Sequence, residues 1–129
     1  MAKRTSGAEA ARYIDQEMAR EAELPIAGWL LVLNGKHKGE DFRLREGKNV
    51  IGSDPGCEVP LTDEYVSQRH ATITVKRVDA SRGQFRLVDL DSANGTFLNT
   101  SEEPVHAEEL VDNDTITFGR TRCRFKCVG

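Results

Sequence analysis

From Ile26 onward, apolar residues recur at every second position in short runs separated by turn-forming residues. Trp29 to Leu33 reads as a first strand, and Phe42 and Leu44 alternate with Arg43 and Arg45 as in a half-buried second one. Further runs are Asn49-Val50-Ile51-Gly52, Val59 with Leu61, and Ala71 to Lys76 with Ile73 and Val75 on one face. Then come Phe85, Leu87 and Asp89 on one face, Phe97-Leu98, Val105, Thr115 to Phe118, and Cys123 to Cys127. Between them lie turns at Asn34 to Gly39, Asp54-Pro55-Gly56 and Asp79 to Gly83. Many short strands at close spacing predict an all-β antiparallel β-sandwich. Its core is expected to hold Ile51, Ile73, Val75, Phe85, Leu87, Phe97, Ile116 and Phe125. Trp29 and Phe42 also read as core rather than as platforms for a ligand.

Residues 1–25 differ. Ala11, Ile14, Met18 and Ala22 fall at helical spacing, but few large apolar groups are present to anchor a helix. The expectation is an N-terminal tail, frayed or weakly helical, ended by Pro25 and followed by one domain over residues 26–129. Lys3-Arg4-Thr5-Ser6 places a threonine after basic residues, which would suit a kinase.

The chain has 129 residues, enough for one ordinary domain. Its 18 Lys and Arg against 21 Asp and Glu give a formal charge of -3, which argues against generic binding to nucleic acid or anionic membrane. No apolar run approaches the roughly 20 residues that cross a bilayer, and no secretory signal is visible. Three cysteines, Cys57, Cys123 and Cys127, point to free thiols in a reducing cytoplasm.

The turns carry more specific information. In order, the chain presents Ile51-Gly52-Ser53, Tyr65-Val66-Ser67-Gln68-Arg69-His70, Leu90-Asp91-Ser92-Ala93-Asn94-Gly95-Thr96, and Asp112-Asn113-Asp114 before Phe118-Gly119. This succession resembles the forkhead-associated (FHA) family across Gly28 to Val128. The resemblance implies an eleven-stranded sandwich of two sheets whose loops bind phosphothreonine peptides in kinase signalling. It implies a Ser67 hydroxyl donating to the phosphate, Gln68 contacting the phosphopeptide, Asn94 bonding the peptide backbone, and Arg69 at the rim. It makes His70, Gly52 and Gly95 structural. The partner would be a phosphothreonine-containing kinase or kinase substrate, met by a monomer with no cofactor.

Departures from the family pattern bear on the charge. The arginine expected after the motif glycine is Ser53, a basic residue expected after the motif serine is Gln68, and Ala93 precedes Asn94 where Ser or Thr is frequent. Arg69 or Lys48 would compensate only if its side chain swung into the site, so weak, salt-sensitive phosphothreonine binding is expected. A phosphate-independent protein scaffold on the same loops is the competing reading.

Other chemistries fit less well. Ser67 and His70 share one turn with no nucleophile elbow, so no enzyme is expected. Cys123 and Cys127 lie about 13 Å apart along a strand, too far to share one zinc ion. His37 and His106 read as solvent-exposed. Gly35 to Gly39 is a basic turn without the features of a phosphate loop. Arg120, Arg122, Arg124 and Lys126 read as a solvated basic face without interleaved aromatic residues to stack bases.

Overall fold

The computed structural model describes residues 25–79 and 82–127. The expected tail and Thr5 lie outside the described residues. The strands are β1 (Ile26–Val32), β2 (Asp41–Arg45), β3 (Gly47–Gly52), β4 (Val59–Pro60), β5 (Ala71–Arg77), β6 (Gly83–Asp89), β7 (Thr96–Leu98), β8 (Ala107–Glu109), β9 (Thr115–Phe118) and β10 (Thr121–Cys127). They form two five-stranded sheets, ordered β2-β1-β10-β9-β7 and β4-β3-β5-β6-β8. All pairings are antiparallel except β3 with β4, where Ile51 faces Val59.

The alternating residues of both sheets meet in one core. Leu30, Leu44, Ile51, Ile73, Leu87, Ile116, Phe118, Cys123 and Phe125 are fully enclosed there. Phe85 and Phe125 meet edge to face with ring centroids 4.8 Å apart. Buried Asn49 fastens the turn between β2 and β3. Its side chain accepts from Arg45 N and donates to Arg45 O and to Ile73 O on β5.

The sandwich forms as expected, with ten strands rather than eleven among the described residues. Val105 belongs to no strand and keeps a single backbone bond, its N–H donating to Thr96 O at 2.8 Å. The polar run Ala107-Glu108-Glu109 pairs instead with β6.

Two core expectations are corrected. Phe97 is only half-buried, because the register of β7 turns Thr96 inward, where its hydroxyl donates to Asp89 Oδ1 at 2.7 Å. Trp29 is half-buried on the outer face of its sheet, between Arg43 and Lys126, since Gly28, Leu30 and Val32 take the inward positions of β1.

The sheet edges are short or charged. β4 is two residues long and ends in Pro60, and β8 exposes Glu108 and Glu109. Asp41 and Arg43 of β2 are likewise exposed.

Candidate functional site

Three connections gather at one end of the sandwich: residues 53–58 after β3, 61–70 before β5, and 90–95 between β6 and β7. Each motif residue sits on one of them. The first two lie in direct contact. Ser53 N donates to Ser67 O at 3.0 Å and Asp54 N to Gln68 O at 3.2 Å. This approach requires glycine at position 52, because a Cβ there would fall 2.0 Å from Gln68 O. The Cys57 thiol also donates to Gln68 O, at 3.4 Å.

His70 fastens the second loop to the third from a fully buried position. Its Nδ1 accepts the Ser67 backbone N–H at 3.0 Å, and its Nε2 lies 2.9 Å from Gly95 O. With Nδ1 accepting, the ring carries its proton on Nε2 and donates it to that carbonyl. Gly95 adopts a φ of 84°, a region that favours glycine. The imidazole also meets Phe118 edge to face at 5.8 Å. It therefore engages the Ser67 main chain and not its hydroxyl, an arrangement with no activated nucleophile.

The Ser67 hydroxyl has a different neighbour. Ser67 Oγ accepts the Ala93 N–H at 3.0 Å. An oxygen held that way keeps its own hydrogen to donate. Asn94 is exposed, and its Nδ2 donates to Tyr65 O at 3.0 Å, which orients the amide. The third loop is folded around Asp89. Ser92 donates to that carboxylate through both its N–H and its hydroxyl, and Thr96 through its hydroxyl. Burial acts to raise the Asp89 carboxyl, but these donors outweigh it and hold it below the usual carboxylate value.

Around this centre, Gln68 and Arg69 are exposed and Ser53 is half-buried. The Arg69 backbone lies against Gly52, where a Cβ would fall 3.1 Å from Arg69 Cα. Lys48 does not belong to the site. It pairs with Thr74 at the far end of β3, four residues before Gly52 and about 13 Å along the strand. A groove of about 430 Å³ flanks Asn94 and Gly95, closed by Phe97, Pro104 and His106.

Several relevant residues carried no signal in the sequence. Asp63 joins the Ser67 loop to the β9–β10 turn by accepting from Tyr65 N, Arg120 N and the Thr121 hydroxyl. Burial acts to raise its carboxyl, and those three donors bring it below the ordinary value. His37, expected in solvent, is half-buried. It accepts Thr62 N at 2.9 Å on Nε2 and meets Glu40 through Nδ1, so it braces the start of the same loop. His106 is exposed. The basic run is divided: Arg122 is exposed, Arg124 is half-buried with Nε lacking a hydrogen-bond partner among the described residues, and Lys126 pairs with Asp112. Among the described residues, no three His, Cys, Asp or Glu side chains cluster to hold a metal.

The chain is similar to the domain solved in a structural and functional analysis of phosphothreonine-dependent FHA domain interactions. The two are 34% identical with a TM-score of 0.65, over 78% of this chain and 95% of that one. This chain belongs to the forkhead-associated family. Residues 31–128 also match the family model described as the inner membrane component of T3SS, cytoplasmic domain, and the FHA chain is a member of that sequence family too. The oxoglutarate dehydrogenase inhibitor of Corynebacterium diphtheriae is 36% identical over 77% of this FHA chain and 64% of its own length. The glycogen accumulation regulator GarA of Mycolicibacterium smegmatis is 34% identical over 79% and 61%. The FHA chain thus spans somewhat under two thirds of these relatives. No helix among its described residues is long and apolar enough to cross a membrane.

Proposed function

We propose that this FHA domain is a non-catalytic module that binds phosphothreonine peptides in Ser/Thr kinase signalling and works in the cytoplasm as a monomer. The observation that carries this reading is the Ser67 hydroxyl, fixed by Ala93 N–H so that its hydrogen is presented beside the anchored Asn94 amide. A phosphate offers strong acceptor oxygens and about -1.5 to -2 charges to such donors. Gln68 and Arg69 would meet the peptide beside the phosphate, and Ser53 would offer it a hydroxyl in place of a cation. The partner is a phosphothreonine-bearing protein, a kinase or a kinase substrate, rather than nucleic acid or membrane.

A second reading rests on Ser53, which removes the cation expected at the phosphate and suits a phosphate-independent protein contact on the same loops. Calorimetric titration with matched phosphothreonine and threonine peptides separates the two. The first reading expects a preference of at least about tenfold for the phosphorylated peptide and its loss in Ser67→Ala. Equal affinity for both peptides would replace it with the second.

A further inference from the structure

Positive charge is concentrated on the sheet that contains β1. Its strands β2 and β10 carry Arg43, Arg45, Arg122, Arg124 and Lys126, and Asp41 is the one carboxylate in its five strands. The whole chain, by contrast, has a formal charge of -3. Alternation along the strands sends Leu30, Leu44 and Phe125 into the core and turns their neighbours outward. On the outer face the register makes two rows. One runs Arg43, Trp29, Lys126, and the next runs Asp41, Leu31, Arg124, Thr115. Trp29 is half-buried and Leu31 is 37% exposed, so an apolar pair lies open in the middle of the cations.

These cations are poorly neutralised. Arg43, Arg122 and Arg124 form no ion pair with a described residue, and the bond from Lys126 to Asp112 is long, at 3.3 Å, and exposed. Arg124 is half-buried between Leu31 and Thr115, and its enclosed Nε has no hydrogen-bond partner among the described residues. A guanidinium partly withdrawn from water gains more from an arriving carboxylate than a fully hydrated one does. The face is also remote from the loops that hold Ser67. β10 starts at Thr121, next to the turn where a Cβ on Gly119 would lie 2.8 Å from Tyr65 C. Lys126 and its cross-strand partner Trp29 lie roughly 16 Å further along the strand.

We propose that this outer face, centred on Trp29 and Leu31, is a second docking surface that receives an acidic segment of a partner protein with apolar side chains among its carboxylates. The proposal does not depend on the phosphothreonine reading. Exposed aromatic and arginine side chains are the groups that carry most protein contacts. A second copy presenting the same face would bring like charges together. Nucleic acid fits less well, because the cations surround one indole instead of alternating with a series of rings that stack successive bases. A membrane fits less well too, because Trp29 is seated within a strand and not on a projecting amphipathic helix. A partner docked here would leave the Ser67 and Asn94 loops open, so one protein bearing both features would be held at two places.

Trp29 is the chain's one tryptophan, so its emission and its indole N–H resonance report on this face. The test titrates the full chain with a short unphosphorylated peptide of glutamates interspersed with leucines, and with its glutamine counterpart. The acidic peptide is expected to give saturable shifts at the Trp29 indole and at amides of β1 and β10, weakening as salt rises. The glutamine peptide should give none. Arg43→Glu and Arg122→Glu, both at exposed positions, should each weaken binding about 3- to 10-fold. Arg122→Lys should retain most of the affinity, and melting curves check the fold of each variant. Titration of Arg122→Glu with a phosphothreonine peptide should match the parent within about twofold. The inference falls if the acidic peptide does not bind, if its shifts are confined to the Ser67 and Asn94 loops, or if the glutamine peptide binds equally well. It also falls if a single-stranded oligonucleotide or phosphatidylserine vesicles displace the acidic peptide from Trp29.

Discussion

The Nε2 of His70 and the carbonyl of Gly95 lie 2.9 Å apart, and this bond joins the loop carrying Ser67 to the loop carrying Asn94. The two residues are 25 positions apart in sequence, so the buried ring helps the Ala93–Ser67 and Asn94–Tyr65 bonds set the spacing of the two candidate peptide contacts. Replacing His70 by Ala leaves the Ser67 N–H and the Gly95 carbonyl without their partner and opens space against Phe118. An unsatisfied buried group costs about 1–3 kcal/mol. Urea denaturation of His70→Ala should show a loss of at least that size, with peptide binding weakened in parallel. A variant as stable as the parent but unable to bind would mean that the ring acts on the peptide directly.

Ser53→Arg would place a cation at the edge of the proposed phosphate position. A hydrogen bond to a charged group contributes about 1.5–3 kcal/mol, which corresponds to roughly 10- to 100-fold in affinity. Titration of parent and variant with one phosphopeptide panel should show tightening in that range and a steeper dependence on salt. A folded Ser53→Arg protein that still ignores phosphate would favour the scaffold reading.

Asp63 and Asp89 both have carboxyls held below the ordinary value by the donors around them, against the opposing effect of burial. A lowered folded-state value means that their contribution is complete above the unfolded value of about 3.9 and is lost as pH falls towards the folded one. Stability measured from pH 7 downward should therefore decline below about pH 4. Asp63→Asn and Asp89→Asn should be less stable at neutral pH and show a shallower acid slope. Equal slopes in parent and variants would exclude these carboxyls as the source.

Burial pushes the Cys123 thiol up to about 12. Burial also raises Cys57, with Asp54 adding to it, and Cys127, with Asp112 adding to it. The thiolate is the reactive form, so all three should alkylate slowly in the native protein at pH 8. Cys127, the least enclosed, should react first and Cys123 only on unfolding. Mass spectrometry of time-resolved labelling measures that order, and early modification of Cys123 would contradict it.

The sandwich was legible because period-two alternation in β5, β6 and β10 is the physical signature of a strand with one wet face. The same rule misassigned Phe97, since hydrophobicity favours Phe inside and carries no knowledge of the bond from Thr96 to Asp89. It missed β8 because Ala107-Glu108-Glu109 is an edge strand with little to bury. The motif order placed Ser67, His70 and Asn94 on adjoining loops. Nothing local could join Asp63 to Arg120, 57 residues later, because that contact exists only once the two sheets have met.

The short and charged sheet edges have a consequence for crowded settings. A free edge invites strand addition, through which domains polymerise or capture extended chains by their backbones. Here β4 ends at Pro60 after two residues, and β8 presents adjacent carboxylates. Backbone zippering is thereby disfavoured at these margins, so several copies tethered at high local concentration would remain separate bodies with their loops open to ligand.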